Sequence, residues 1–243
     1  MKRVLAGVFA IGVVVICVHA AAGRRQPARP ADAPRSPAVP RVAAPPEHRP
    51  RLHGDPPVVD HIPTGRRVVF LTIDDGWHRD PALPGLLRRL RIPVTLFLTD
   101  RAIAGHDAYV RALRDAGADI EDHTLTHRPL AGVDAAGQRR EICGTATRYA
   151  RRFGHRPTLL RPPGGAYDAT TRAIARSCGI KGIVLWRDSV QRHGRIAHQR
   201  GHLRPGDIIL MHFRPGLSRD LPIVLAEIRA RHLRLARLTD YIG

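Results

Sequence analysis

Lysine is almost absent from this 243-residue chain: Lys2 and Lys181 are the only lysines among 40 basic residues, and arginine supplies the rest. Acidic residues number only 21, which leaves a formal net charge of +19. Aromatics make up 5% of the chain, too few for the stacking platforms of a single-strand nucleic-acid binder. The arginines are scattered, without a run of five, and no nucleic-acid-binding motif occurs. No nucleic-acid partner is therefore expected, and the charge favours an anionic wall polymer or acidic lipid instead. Cysteine is scarce too. Cys17 lies in an N-terminal apolar segment behind Ile16, which is too large for a usual lipoprotein cleavage site. The even remainder, Cys143 and Cys178, suggests a bridge in an oxidising compartment, against two buried free thiols. There is no internal repeat.

What is present divides the chain in three. Residues 1–22 carry Lys2 and Arg3, an uncharged apolar run over 4–18, and small residues at Ala20, Ala21 and Ala22. That pattern is an export signal, with an uncleaved membrane anchor as the alternative. Export places the protein outside the cell or in its envelope. Residues 23–61 are rich in Pro, Ala and Arg and lack apolar periodicity, so an extended, disordered linker is expected. Residues 62–243 carry the folded domain. Strands are expected over 67–73, 94–98, 118–121, 158–160, 182–185, 207–211 and 233–238. Helices are expected over 81–90, 106–116, 134–153, 168–177 and 221–231. Strands alternating with helices imply parallel pairing and an α/β class, either barrel or open sheet.

Functional groups of parallel α/β folds sit at the C-terminal ends of strands. Here those ends carry Asp74-Asp75-Gly76, His123 through His127, Arg161 through Gly165, Trp186 with Asp188, and His212. A spacing of four puts His123 and His127 on one side of a helical turn, able to share a metal. Asp75 would complete a His₂-Asp set that leaves positions open for water and substrate, the layout of a catalytic site. Each segment alone is also compatible with plain surface loops.

Together these segments resemble the polysaccharide deacetylase family, also called the NodB homology domain or carbohydrate esterase family 4. The family's T-F-D-D-G is here Thr72-Ile73-Asp74-Asp75-Gly76, and its H-S/T-x-x-H is His123-Thr124-Leu125-Thr126-His127. Its R-x-P-Y/F-G is Arg161-Pro162-Pro163-Gly164-Gly165, and its L-x-H is Leu210-Met211-His212. The resemblance spans about Arg66 to Tyr241. Two departures stand out: Gly164 replaces an aromatic, and Trp186-Arg187-Asp188-Ser189-Val190 keeps little of the D-x-x-D-W motif.

The resemblance implies a distorted (β/α)7-type barrel and a divalent metal on Asp75, His123 and His127: zinc, with cobalt or nickel as alternatives. It implies Asp74 as general base, His212 as general acid, Arg161 orienting Asp74, and the Gly164 N–H in the oxyanion hole. Asp188 is the candidate to fix the His212 tautomer. The implied reaction removes acetyl groups from N-acetylglucosamine or N-acetylmuramic acid units of a cell-wall glycan, the polysaccharide partner. Deacetylation of acetylxylan and glycan binding without turnover are the alternatives.

Overall fold

The computed structural model describes residues 42–46 and 54–242. The export-signal expectation for 1–22 and most of the expected linker lie outside the described residues. Ten strands form the sheet: β1 (Val58–Val59), β2 (Val68–Asp75), β3 (Thr95–Leu98), β4 (Asp119–Asp122), β5 (Leu159–Leu160), β6 (Gly182–Val184), β7 (Asp188–Val190), β8 (Ile196–His198), β9 (Ile208–His212) and β10 (Arg234–Leu235). Five helices intervene: α1 (Leu83–Leu90), α2 (Asp107–Asp115), α3 (Ala135–Phe153), α4 (Ala169–Ser177) and α5 (Leu217–Ala230). The strand order is β1-β6-β5-β4-β3-β2-β9-β7-β8, with β10 also on β2. Every pairing is parallel except the β7–β8 hairpin. This is a half-barrel of parallel strands and helices, the α/β architecture expected.

The alternation along β2 explains how the site is aimed. Val69, Leu71 and Ile73 enter the apolar layer that also holds Leu83 and Leu87 of α1 and Leu217, Leu221 and Val224 of α5. Val68 and Phe70 enter a second cluster with Phe97, Leu159, Val184 and Tyr241. Successive strand side chains point to opposite faces, so Thr72 and Asp74 continue the Phe70 face into the barrel interior.

Helix ends follow local chemistry. Asp134 caps α3 by accepting from the Gly137 N–H at 2.6 Å, and Gly154 closes it with φ 68°. Asp168 and Thr171 form a reciprocal capping box at α4. Cys143 on α3 and Cys178 at the end of α4 form a disulfide, with Cα atoms 5.0 Å apart.

Several boundaries differ from expectation. Val58 and Val59 pair with Ile183 and Val184, so sheet structure begins inside the stretch read as linker. Val42 bridges Leu235, and Ala43 is buried beside it. Helix α5 starts at Leu217 rather than 221, which puts Pro222 inside it. The β7–β8 hairpin had no counterpart in the sequence reading. The expected 233–238 strand contracts to Arg234–Leu235.

Candidate active site

Asp74 and Asp75 end β2, and their side chains diverge. Asp74 is 2% exposed and accepts a 2.7 Å hydrogen bond from Arg161 Nη1. Arg161 is fully buried and each of its three nitrogens donates inward: Nη1 also reaches Thr72 Oγ1, Nε reaches the Val184 carbonyl, and Nη2 the Leu185 carbonyl. The guanidinium lies over the Phe97 ring, 4.3 Å from its centroid. A buried cation of this kind persists only when paired and hydrogen-bonded, and Asp74 supplies the charge.

Asp75 turns the other way because its backbone leaves the strand, with φ 84°. Its Oδ1 lies 3.4 Å from His123 Nε2 and 3.1 Å from His127 Nε2. The three ligand atoms lie within 4.8 Å of one another. Burial works against ionisation of Asp75. The neighbouring imidazoles, His123 first and then His212 and His127, outweigh it and hold the carboxyl below its usual range.

The two histidines do not sit on a helical turn, which corrects the sequence expectation. Residues 123–127 form an irregular loop after β4, with φ 70° at Thr124 and 66° at His127. Asp75, Thr124 and His127 are three of six non-glycine residues with positive φ among the described residues. Such strain persists only where surroundings over-determine it, and here they do. Thr124 N–H donates to Asp122 Oδ1 at 2.7 Å, and His127 N–H to Thr124 Oγ1 at 3.1 Å. Thr126 donates through N–H and hydroxyl to the two oxygens of Glu141 on α3, both at 2.9 Å. Thr99 Oγ1 holds the His123 carbonyl. Sequence reasoning missed Asp122, Glu141 and Thr99; none belongs to a motif, and only the fold brings them to the loop.

The donor set fits a divalent cation. His123 Nδ1 bonds the Arg161 carbonyl at 2.6 Å, so Nδ1 carries the proton and Nε2 keeps its lone pair toward Asp75. Asp75 Oδ1 is buried without a hydrogen-bond partner, as an oxygen reserved for a metal would be.

His212 ends β9 in register with Asp74, is exposed, and acts electrostatically on Asp75, so it shares the same mouth. Gly164 sits in the turn after β5 with φ 63°, and an added Cβ would meet nothing within 4 Å. Its left-handed backbone, not crowding, suits glycine there. Asp188 does not reach His212. It is buried on β7 opposite Ile209, and its Oδ1 bonds His198 Nδ1 at 3.1 Å. Its expected role at the general acid is therefore withdrawn. Trp77, two residues beyond Asp75 in the sequence, is 46% exposed, an aromatic that the motifs did not point to.

A polysaccharide deacetylase model matches residues 61–183. The chain belongs to the polysaccharide deacetylase family. An uncharacterized Streptomyces coelicolor protein is 45% identical over 77% of this chain and 78% of its own length. A chitooligosaccharide deacetylase from a Bradyrhizobium species is 28% identical over 64% of this chain and 76% of its own. The solved structure of a carbohydrate esterase family 4 pseudoenzyme from Bacillus anthracis superposes with TM-score 0.68 at 18% identity, covering 79% of this chain and 72% of that one. That likeness speaks to the fold. This polysaccharide deacetylase is accordingly a hydrolase of the family's kind.

Proposed function

We propose that the chain is an exported, metal-dependent deacetylase that hydrolyses the acetamido group of N-acetylglucosamine units in cell-wall glycan. The observation that carries this reading is the convergence of Asp75, His123 and His127 beside an Asp74 that Arg161 aims into the same mouth. Two imidazoles and a carboxylate suit zinc, and cobalt or nickel after it. Bound there, the metal would polarise the acetyl carbonyl and lower the pKa of the attacking water.

The chain's own residues do the rest. Asp74 Oδ2, the oxygen that Arg161 leaves free, takes the proton from water as its oxygen attacks the carbonyl carbon. The Gly164 N–H donates to the carbonyl oxygen as charge develops on it. His212 gives a proton to the leaving nitrogen as the C–N bond breaks, and acetate and a free amine result. Against a non-catalytic glycan binder stands the complete set: three ligands, a base and an acid.

Acetate release from chitooligosaccharide, peptidoglycan and acetylxylan by the zinc-loaded protein tests the reading. Release from the first two, with His123→Ala and His127→Ala abolishing both metal content and turnover, is the expected result. Preference for acetylxylan would turn the reading to an ester, and no release from any of the three would end it.

A further inference from the structure

A second concavity opens on the same rim, outside the metal ligands. Two loops build it: the turn at 191–195 after β7, and the segment from Arg214 into α5 after β9. Strands β7 and β9 run parallel to β2, so both loops emerge at the end that carries Asp75 and His212. The cavity measures about 460 Å³, and its charged lining is Arg192, Arg214, Arg219 and Asp220, with His193 and the exposed Ile223 beside them.

Its wall is pinned. A Cβ on Gly194 would meet Ile223 Cβ at 2.8 Å and the Asp220 carbonyl oxygen at 3.0 Å, so the turn lies hard against α5. Arg214 ties the same two elements by donating to the Gln191 carbonyl and to Asp220 Oδ2. The turn also holds His193 at φ 62°, a conformation that a non-glycine residue keeps only when its surroundings impose it.

Charge is left over inside this built wall. Asp220 is the cavity's one carboxylate, and Arg214 already matches it at 2.9 Å. Among the described residues, Arg192 and Arg219 have no acidic partner and no side-chain hydrogen bond, and both are exposed. Two free guanidinium forks match the geometry of a carboxylate or phosphate, which a neutral sugar does not offer.

We infer that this cavity is an anion subsite, holding a carboxylate or phosphate group of the same glycan whose acetyl group lies at the metal. The inference rests on the deacetylase reading for its substrate and on the cavity alone for its chemistry. It turns a diffuse basic surface into a selector: polymers that carry an anion at the right distance from the reacting sugar are favoured over neutral ones.

The test uses the full-length protein with Arg192→Ala/Arg219→Ala and Arg192→Lys/Arg219→Lys. Acetate release is measured on a carboxylate-bearing muramyl glycan, on a phosphate-bearing glycan and on neutral chitohexaose. Inorganic phosphate binding is followed separately by titration at low salt. The alanine pair should lower the anionic-to-neutral ratio of kcat/KM about tenfold, the order of one or two charge-assisted contacts. Phosphate binding should weaken in parallel, and the lysine pair should recover part of both. Whichever anionic polymer loses more identifies the group. An unchanged ratio, or phosphate binding that survives in the alanine pair, overturns the inference. If wild-type protein releases acetate from no polymer, the deacetylase reading falls while the phosphate titration still decides the subsite.

Discussion

A general base has to be aimed before it can take a proton, and Arg161 does the aiming here. It approaches Asp74 Oδ1 at 2.7 Å from a fully buried position, while Thr72, one turn of the pleat earlier, receives a second bond from the same Nη1. Asp74→Asn should keep the metal, because Asp75, His123 and His127 are untouched, and should lower Tm, because an amide oxygen still accepts from Arg161 but no longer matches its buried charge. It should lose roughly 10²–10⁴ in kcat, the usual share of a general base. Metal analysis with acetate release checks this; near wild-type turnover in the variant would remove Asp74 from the reaction. Trp77 carries the other prediction at this scale. Gly76 before it has φ 101° and packs so that a Cβ would meet Ile103 Cγ2 at 2.7 Å, and the indole that follows is exposed. A flat aromatic face suits a sugar ring. Trp77→Ala should raise KM for chitooligosaccharide roughly tenfold, the scale of a buried aromatic anchor, and leave the metal in place. Unaltered KM would show that the ring lies elsewhere.

The elements that matter most are the loops, and the metal loop is held under strain. Glu141 reaches it from α3 with two hydrogen bonds to Thr126. Glu141→Ala should let residues 123–127 relax and weaken metal affinity about 10–100-fold, as losing an outer-shell partner does. Competition with a chelator measures it, and equal affinity would mean that Asp122 and Thr99 suffice. This loop also marks where the sequence stopped being informative. The motif residues Asp74, Asp75, His123, His127, Arg161 and His212 were legible because their order and spacing are local. Their conformation was not, since a four-residue spacing reads as a helical turn while two left-handed residues make a loop of it. The long strands and α3 were legible from apolar pattern and caps. The two-residue β1 and the β7–β8 hairpin were not, because so short a strand owes its existence to its neighbours rather than to its own composition. Asp188 was misassigned for the same reason: the register that sets it opposite Ile209 is invisible until the hairpin is known. Pro222 hid the start of α5, since proline reads as a first-turn residue.

On the scale of the whole molecule, the polar groups beside the β7–β9 pairing matter for folding rather than for acetate release. Asp188 and Asp207 are both buried. His198 bridges Asp188 to Glu227 at 3.1 and 2.9 Å, and Arg187 lies between Asp60 and Asp207. Burial, with the charge of Asp207 added to it, pushes the Asp188 carboxyl up to about 6, against the hydrogen bond and charge of His198. An unfolded aspartate releases its proton near pH 4. The folded protein therefore holds a proton that the unfolded chain has lost, and stability from this group falls as pH rises from about 4 to about 6 before levelling. Asp188→Asn removes that dependence, because an amide has no proton to release. The variant gives up the carboxyl that faces His198, so the readout is the pH dependence of stability rather than its absolute value. The difference in Tm between variant and wild type should climb in the variant's favour across that window and stay flat above it. Both proteins are melted in chelator, from pH 4 to pH 8, so that protons released on metal binding do not enter the comparison. A difference in Tm that is constant with pH would mean that Asp188 is ionised in the folded protein throughout, with its charge matched by His198.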